Sequence, residues 1–210
     1  MRFLLLLFIV LQSCSILYPD GLSFSRPNYS YEYTTFSKKL NFKNDTYLLA
    51  PTSFHGSNKL EVLDYVHNYF KSELGNRLVS TYHLKDESGA KRILKRIDYD
   101  TAFDDIEFLS EISDHSYLIL TKITYLKDNR YLAVNRHHKK SKGLNSDVKT
   151  GAKSSIKVLD LIEKSVFLEI ECSGYVSITN EEDDDVFNIY SNSNSLGEKT
   201  MKKLLKKIKQ

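Results

Sequence analysis

The sequence predicts an α+β domain: a mixed sheet of about five or six strands, helices packed mainly on one face, and a C-terminal helix. Three observations carry this expectation. A short apolar strand is followed by Leu63, Val66, Phe70 and Leu74 at helical spacing. Long β-rich runs then occupy 116–126 and 156–176, and the chain closes on a second helical stripe of Met201, Leu204, Leu205 and Ile208.

The elements follow in chain order. Residues 15–44 lack a sustained period and carry Pro19, Gly21 and Pro27, which reads as a tether. As flexible coil, about 30 residues span roughly 30 Å. Tyr18, Phe24, Tyr29, Tyr31, Tyr33 and Phe36 are too many aromatics for a fully solvated linker, so its later part, near Tyr31 to Phe42, is expected to pack on the domain as an arm or edge strand. Asp45 to Pro51 reads as a buried strand stopped by proline. Asn58, with Glu61 three residues on, opens a helix that runs to Gly75, with Val62, Tyr65 and Tyr69 widening its stripe and His67 placed on it as a core histidine.

Arg77 to Leu84 reads as a second strand. Short helices follow on Ala90, Ile93, Leu94 and Ile97, then on Phe103, Ile106, Leu109 and Ile112. The acidic residues Asp104, Asp105, Glu107 and Glu111 suit a solvated helix face. Ser116 to Leu126 is the strongest strand, and its continuous apolar start predicts a central position covered on both faces. Asp128-Asn129 is expected to turn the chain, and Tyr131 to Val134 to return as a paired strand.

Asn135 to Ser155 reads as a basic loop, because its composition offers little apolar surface to bury. Arg136, Lys139, Lys140 and Lys142 form its candidate interaction surface. Ile156, Val158 and Leu161 begin the next strand, Glu163-Lys164-Ser165 turn it, and Val166 to Val176 come back. There Val166, Leu168, Ile170 and Cys172 are expected on one face, with Phe167, Glu169, Glu171 and Ser173 on the other. Cys172 is then a small core residue. The run Glu181 to Asp185 lacks the alternation of a calcium loop. The terminal helix, from about Ser195, is expected to dock its apolar stripe on the sheet and leave Lys199, Lys202, Lys203, Lys206 and Lys207 around the rest, with contact to anionic lipid as the alternative for this lysine-rich segment.

Composition bounds the function. With 30 Lys and Arg against 27 Asp and Glu, a net charge of +3 does not favour nucleic acid as a partner. Fourteen Tyr and eleven Phe supply the core without any Trp. There is no Gly-rich phosphate loop, no Gly-x-Ser-x-Gly elbow and no His-Glu-x-x-His. The six histidines, His55, His67, His83, His115, His137 and His138, show no metal-ligand spacing. No cofactor or metal is therefore expected, and catalysis has no motif to support it.

The amino terminus is more specific. Arg2 precedes nine apolar residues, Phe3 to Leu11, and Ser13 stands directly before Cys14. Nine residues rise about 14 Å as a helix, too short for a hydrocarbon core of roughly 30 Å. The pattern instead reads as a secretory signal. Leu11-Gln12-Ser13-Cys14 resembles the signal box of bacterial lipoproteins, with Gln12 departing from the usual small residue. The resemblance implies a signal peptide over 1–13, a lipidated Cys14 and tether over 14–44, and the α+β domain over 45–210. With Cys14 assigned to lipid, only Cys172 remains, and no disulfide framework is expected.

In its element order the domain resembles the envelope lipoproteins similar to the amino-terminal domain of TolB, among them the peptidoglycan-synthase activator lipoproteins. The pieces concerned are the strand Thr46 to Pro51 with its helix to Leu74, the 114–126 segment, and the hairpin 156–177 before the last helix. The insertion 135–155 departs from that pattern. The resemblance implies a non-catalytic binding or assembly module of the cell envelope, with an envelope protein or cell-wall polymer as partner. Its implied place is the outer membrane, facing the periplasm. Two other classes stay open: a hydrolase or transferase acting on envelope polymers, and a basic-surface binder of anionic lipid or wall polymer.

Overall fold

The computed structural model describes residues 22–24, 27–35, 45–55, 60–84, 89, 97–102, 104, 108–125, 149–177, 187–189 and 191–208. In chain order these form β1 (Leu22–Phe24), β2 (Asn28–Thr35), β3 (Tyr47–Leu49), β4 (Ser53–His55), α1 (Leu60–Leu74), β5 (Leu78–Ser80), α2 (Phe108–Ile112), β6 (Tyr117–Tyr125), β7 (Lys149–Asp160), β8 (Ser165–Ser177), β9 (Phe187–Ile189) and α3 (Ser193–Lys207). The fold is α+β. Its main sheet has seven strands in the order β2-β8-β7-β6-β3-β5, with β4 also paired to β6. The pairs among β3, β4, β5 and β6 are parallel, and those joining β6, β7, β8 and β2 are antiparallel.

β6 is central and buried on both sides, as its apolar run predicts. Ile119 and Ile123 face a core completed by Val62, Val66, Phe70 and Leu74 of α1 and by Met201, Leu204 and Leu205 of α3. Leu118 and Leu120 face a second core with Leu48, Ala50, Leu84, Ile97, Tyr99 and Leu109. Two helices therefore lie on one face of the sheet, while the short α2 closes part of the other. Tyr69 on α1 donates its hydroxyl hydrogen bond to the Leu205 carbonyl, tying the two larger helices together.

Local chemistry sets the helix ends. Gly75 takes a φ of +59°, a left-handed conformation that ends α1 and starts a 3-10 turn. The Asn192 side chain accepts the Ser195 amide at 2.6 Å and caps α3, whose buried stripe includes Leu196, Thr200, Met201, Leu204 and Leu205. α3 is docked on the sheet as expected.

Several expectations are corrected. His67 is exposed, because one residue beyond Val66 is a rotation of about 100° and the buried line is Val62-Val66-Phe70-Leu74. The Arg77 to Leu84 strand reduces to Leu78–Ser80 between two 3-10 turns. Ile97 is buried outside any helix, and in the next helix only Phe108–Ile112 is described. Residues 149–155 belong to β7 and not to a loop: Thr150, Ala152 and Ser154 are buried, small side chains that admit α3 at close range, and Ser155 is buried on the opposite face.

A bulge between Val158 and Leu159 shifts the β7–β8 register around Phe167. Phe167 is thereby turned into the helix-side core against Tyr117, while Val166 is exposed. Ordered pairing also starts upstream of residue 45. Tyr29, Tyr31 and Tyr33 of β2 lie opposite Gly174, Cys172 and Ile170 of β8, and β1 pairs in parallel with β9. The turn at Asp128-Asn129, the strand Tyr131 to Val134, residues Ala90 to Leu94 and the acidic run Glu181 to Asp185 lie outside the described residues.

Candidate binding surface

Alternation along β7 and β8 sends apolar residues to the helix side and charged ones to the opposite face. Register then aligns the polar residues in rows. One row crosses five strands: Ser53, Lys122, Ser155, Glu171 and Glu32 are successive partners. Beside it run His55, Thr124, Lys153, Ser173 and Ser30, and on the other side Lys157 faces Glu169.

Ion pairs stitch these rows together. Lys153 Nζ lies 2.6 Å from Glu171 Oε1, Lys157 Nζ 3.5 Å from Glu169 Oε1, and Lys122 Nζ 2.6 Å from Asp100 Oδ2. Ser155 donates to Glu171 Oε2 at 3.2 Å. Tyr99 closes one end. Its hydroxyl donates to Glu169 at 2.8 Å, and Lys157 sits 4.4 Å from its ring centroid. The Ser53 hydroxyl accepts the Tyr99 amide at 3.0 Å and donates to Asp98 at 3.4 Å, which fixes the turn carrying the ring.

Burial, then the hydrogen bond to Glu169, push the Tyr99 phenol well above its ordinary value, so it remains a donor across physiological pH. Lysines and carboxylates nearly balance over the face. It offers alternating donors and acceptors on a rigid sheet, a chemistry suited to a polar partner and poorly suited to a polyanion.

A concavity of about 440 Å³ is lined by Ser110, Ser113, Asp114, His115, Leu161, Ile162 and Lys164. Burial lowers the His115 pKa from its ordinary 6.5, with Asp114 pulling the other way. Its Nδ1 is buried without a hydrogen-bond partner. Ser113 donates its hydroxyl hydrogen bond to the Leu109 carbonyl at 3.0 Å, so that proton is directed away from the imidazole.

The residues singled out from the sequence, Cys14, Arg136, Lys139, Lys140 and Lys142, lie outside the described residues, as do His137 and His138. Among the described residues no group of three His, Cys, Asp or Glu side chains could hold a metal ion. No described helix is long and apolar enough to cross a membrane. Cys172 is a buried free thiol on the apolar face, and burial pushes its pKa up to about 11. Sequence reasoning missed Tyr99 and the Lys–Glu rows. Their signal was the spacing Lys153-x-Ser155-x-Lys157 against Glu169-x-Glu171, which becomes a surface only once the register is known.

No protein-family model and no curated protein matches the chain. Solved structures give distant likenesses. Two structures of the PelC dodecamer from Paraburkholderia phytofirmans align at TM-score 0.42 and 9% identity, each over 88% of this chain and over 99% and 98% of theirs. The hypothetical protein CT253 from Chlamydia trachomatis aligns at TM-score 0.34 and 11% identity, over 78% of this chain and 92% of that one.

Proposed function

We propose that the chain is a membrane-anchored, non-catalytic binding or assembly module of the cell envelope. Acyl chains on Cys14 hold it at the membrane, and the polar sheet face receives an envelope protein or a cell-wall polymer. Its place is the outer membrane, facing the periplasm. The observation that carries this reading is the amino terminus: Arg2, the apolar run Phe3 to Leu11 and the Ser13-Cys14 pair stand just ahead of a domain whose first strand begins at Leu22.

Two or more acyl chains make release from a bilayer very slow, so the domain works where it is anchored. Residues 15–21 separate Cys14 from β1, a reach of at most about 25 Å. That keeps β1 close to the headgroups. A partner must therefore come to the surface, which favours a rigid, preformed face over a long search.

Mass spectrometry of the mature amino terminus combined with capture from solubilised envelope tests the reading. Acylated Cys14, and an envelope protein or wall polymer retained by the native chain but lost with Lys153→Glu/Lys157→Glu, are the expected results. An unmodified terminus at another residue, or equal retention by both chains, rejects it.

A further inference from the structure

We infer that the outer surface of α3, together with the tyrosines of β2, lies on anionic lipid headgroups. This deepens the proposed function and rests on its lipid anchor. Three observations on separate parts of the molecule meet here.

The first is charge. α3 carries Lys199, Lys202, Lys203, Lys206 and Lys207 against a single acid, Glu198, which is already paired with Lys202. Its apolar stripe is spent in the core, so what faces outward is cationic: Lys199, Lys206 and Lys207 are exposed. A helix with no apolar side left over cannot sink into acyl chains. It can rest on negatively charged headgroups, where each lysine strengthens adsorption about fivefold.

The second is the rim. Lys203 Nζ sits 4.3 Å from the Tyr29 ring centroid, and Lys202 Nζ sits 4.8 Å from that of Tyr65, so aromatic rings flank α3 on both sides. Along β2 the row continues outward through Tyr31 and Tyr33, which are 38% and 37% exposed although they point to the helix side of the sheet. Tyrosine beside lysine is the combination that suits the headgroup layer, one end apolar and the other wet.

The third is the point of attachment. β1 pairs with β9, which leads directly into α3, and β2 starts opposite Tyr175, beside the cluster formed by Val176, Ala152 and Leu196 of α3. The anchored end of the chain thus enters where α3 begins. Seven residues, 15–21, separate Cys14 from β1, so the anchor brings this end of the chain, and with it the start of α3, to the bilayer. This orientation turns the polar sheet face, on the other side of the sheet, away from the membrane and toward a partner.

The test uses the acylated full chain in vesicles. Because the chain has no Trp, Tyr31→Trp introduces a single fluorescent reporter, and Tyr33→Trp gives an independent second one. On vesicles of phosphatidylglycerol and phosphatidylethanolamine, brominated lipid should quench the reporter at low salt. The quenching should fall away at high salt, on phosphatidylcholine vesicles, and in Lys199→Gln/Lys206→Gln/Lys207→Gln, whose adsorption should drop about a hundredfold.

Acyl mass on Cys14 with both reporters equally unquenched on anionic and zwitterionic vesicles overturns the inference and leaves the anchor standing. Salt-sensitive quenching on a chain without acyl mass supports the inference and overturns the anchor. Quenching that ignores salt and the three lysine substitutions also overturns it, since charge would then not be the attraction.

Discussion

The two faces of the β7–β8 pair share one backbone and stabilise the molecule in different ways. On the helix side, Ala152, Ser154, Ile156, Ile170, Cys172 and Gly174 give α3 a surface with almost no relief. Ser154 donates to the Gly197 carbonyl at 3.2 Å and shares a 2.7 Å hydrogen bond with Thr200, so these two hydroxyls are consumed at that contact. On the other side, Lys153, Lys157, Glu169 and Glu171 keep water nearby and pair with one another. The comparison teaches where sequence changes should hurt folding and where they should hurt binding. Close packing is intolerant of volume change, and partly solvated ion pairs contribute little to stability.

The largest effect is expected at Phe70, fully buried beneath α1 in the helix-side core. Phe70→Ala removes an aromatic side chain that neighbouring side chains cannot replace, and should cost about 3–5 kcal/mol. Urea unfolding checks it: a midpoint close to that of the native chain would mean that the helix-side core collapses around the gap, and the contrast between the faces would shrink.

A change of the opposite kind comes next. A Cβ placed on Gly197 would meet Tyr125 Cε1 at 2.6 Å and Ile123 Cγ2 at 3.0 Å. Gly197→Leu gains helix propensity, but it must push α3 off the sheet. The loss from overpacking should dominate, at about 1–3 kcal/mol. Thermal unfolding that shows no loss would place the helix farther from β6 than this contact implies.

How much of this was legible depended on whether a side chain's burial is decided locally. The run Tyr117 to Tyr125 declares a strand covered on both faces, and Met201-Leu204-Leu205-Ile208 declares a docked helix, because in each the apolar residues outnumber any alternative use. Residues 149–155 do not. Thr150, Ala152 and Ser154 are as common in loops as in strands, and they become buried only because α3 approaches over them. β2 was half legible: the alternation Tyr29-Ser30-Tyr31-Glu32-Tyr33 is strand-like, but its partner lies far along the chain in β8. The Lys–Glu rows were hidden for a further reason. The bulge at Val158/Leu159 sets which residue faces which, and a one-residue slip would send every charge to the other side.

The smallest effect on folding should come from the polar face itself. Lys153 and Glu171 approach to 2.6 Å, yet their side chains keep 40% and 21% of their exposure, so solvent screens the attraction and the long side chains lose freedom in making it. Register also places Glu32 directly across from Glu171, a like-charge pair that offsets part of the gain. Lys153→Ala should therefore change stability by less than about 1 kcal/mol, since Ser155 still donates to Glu171 and water takes the place of the ammonium. Unfolding curves of native and substituted chain that nearly coincide, alongside weaker retention of the envelope partner, would separate the two faces by role. A loss approaching that of Phe70→Ala would make the rows part of the fold, and the helix side would no longer be the place where stability is concentrated.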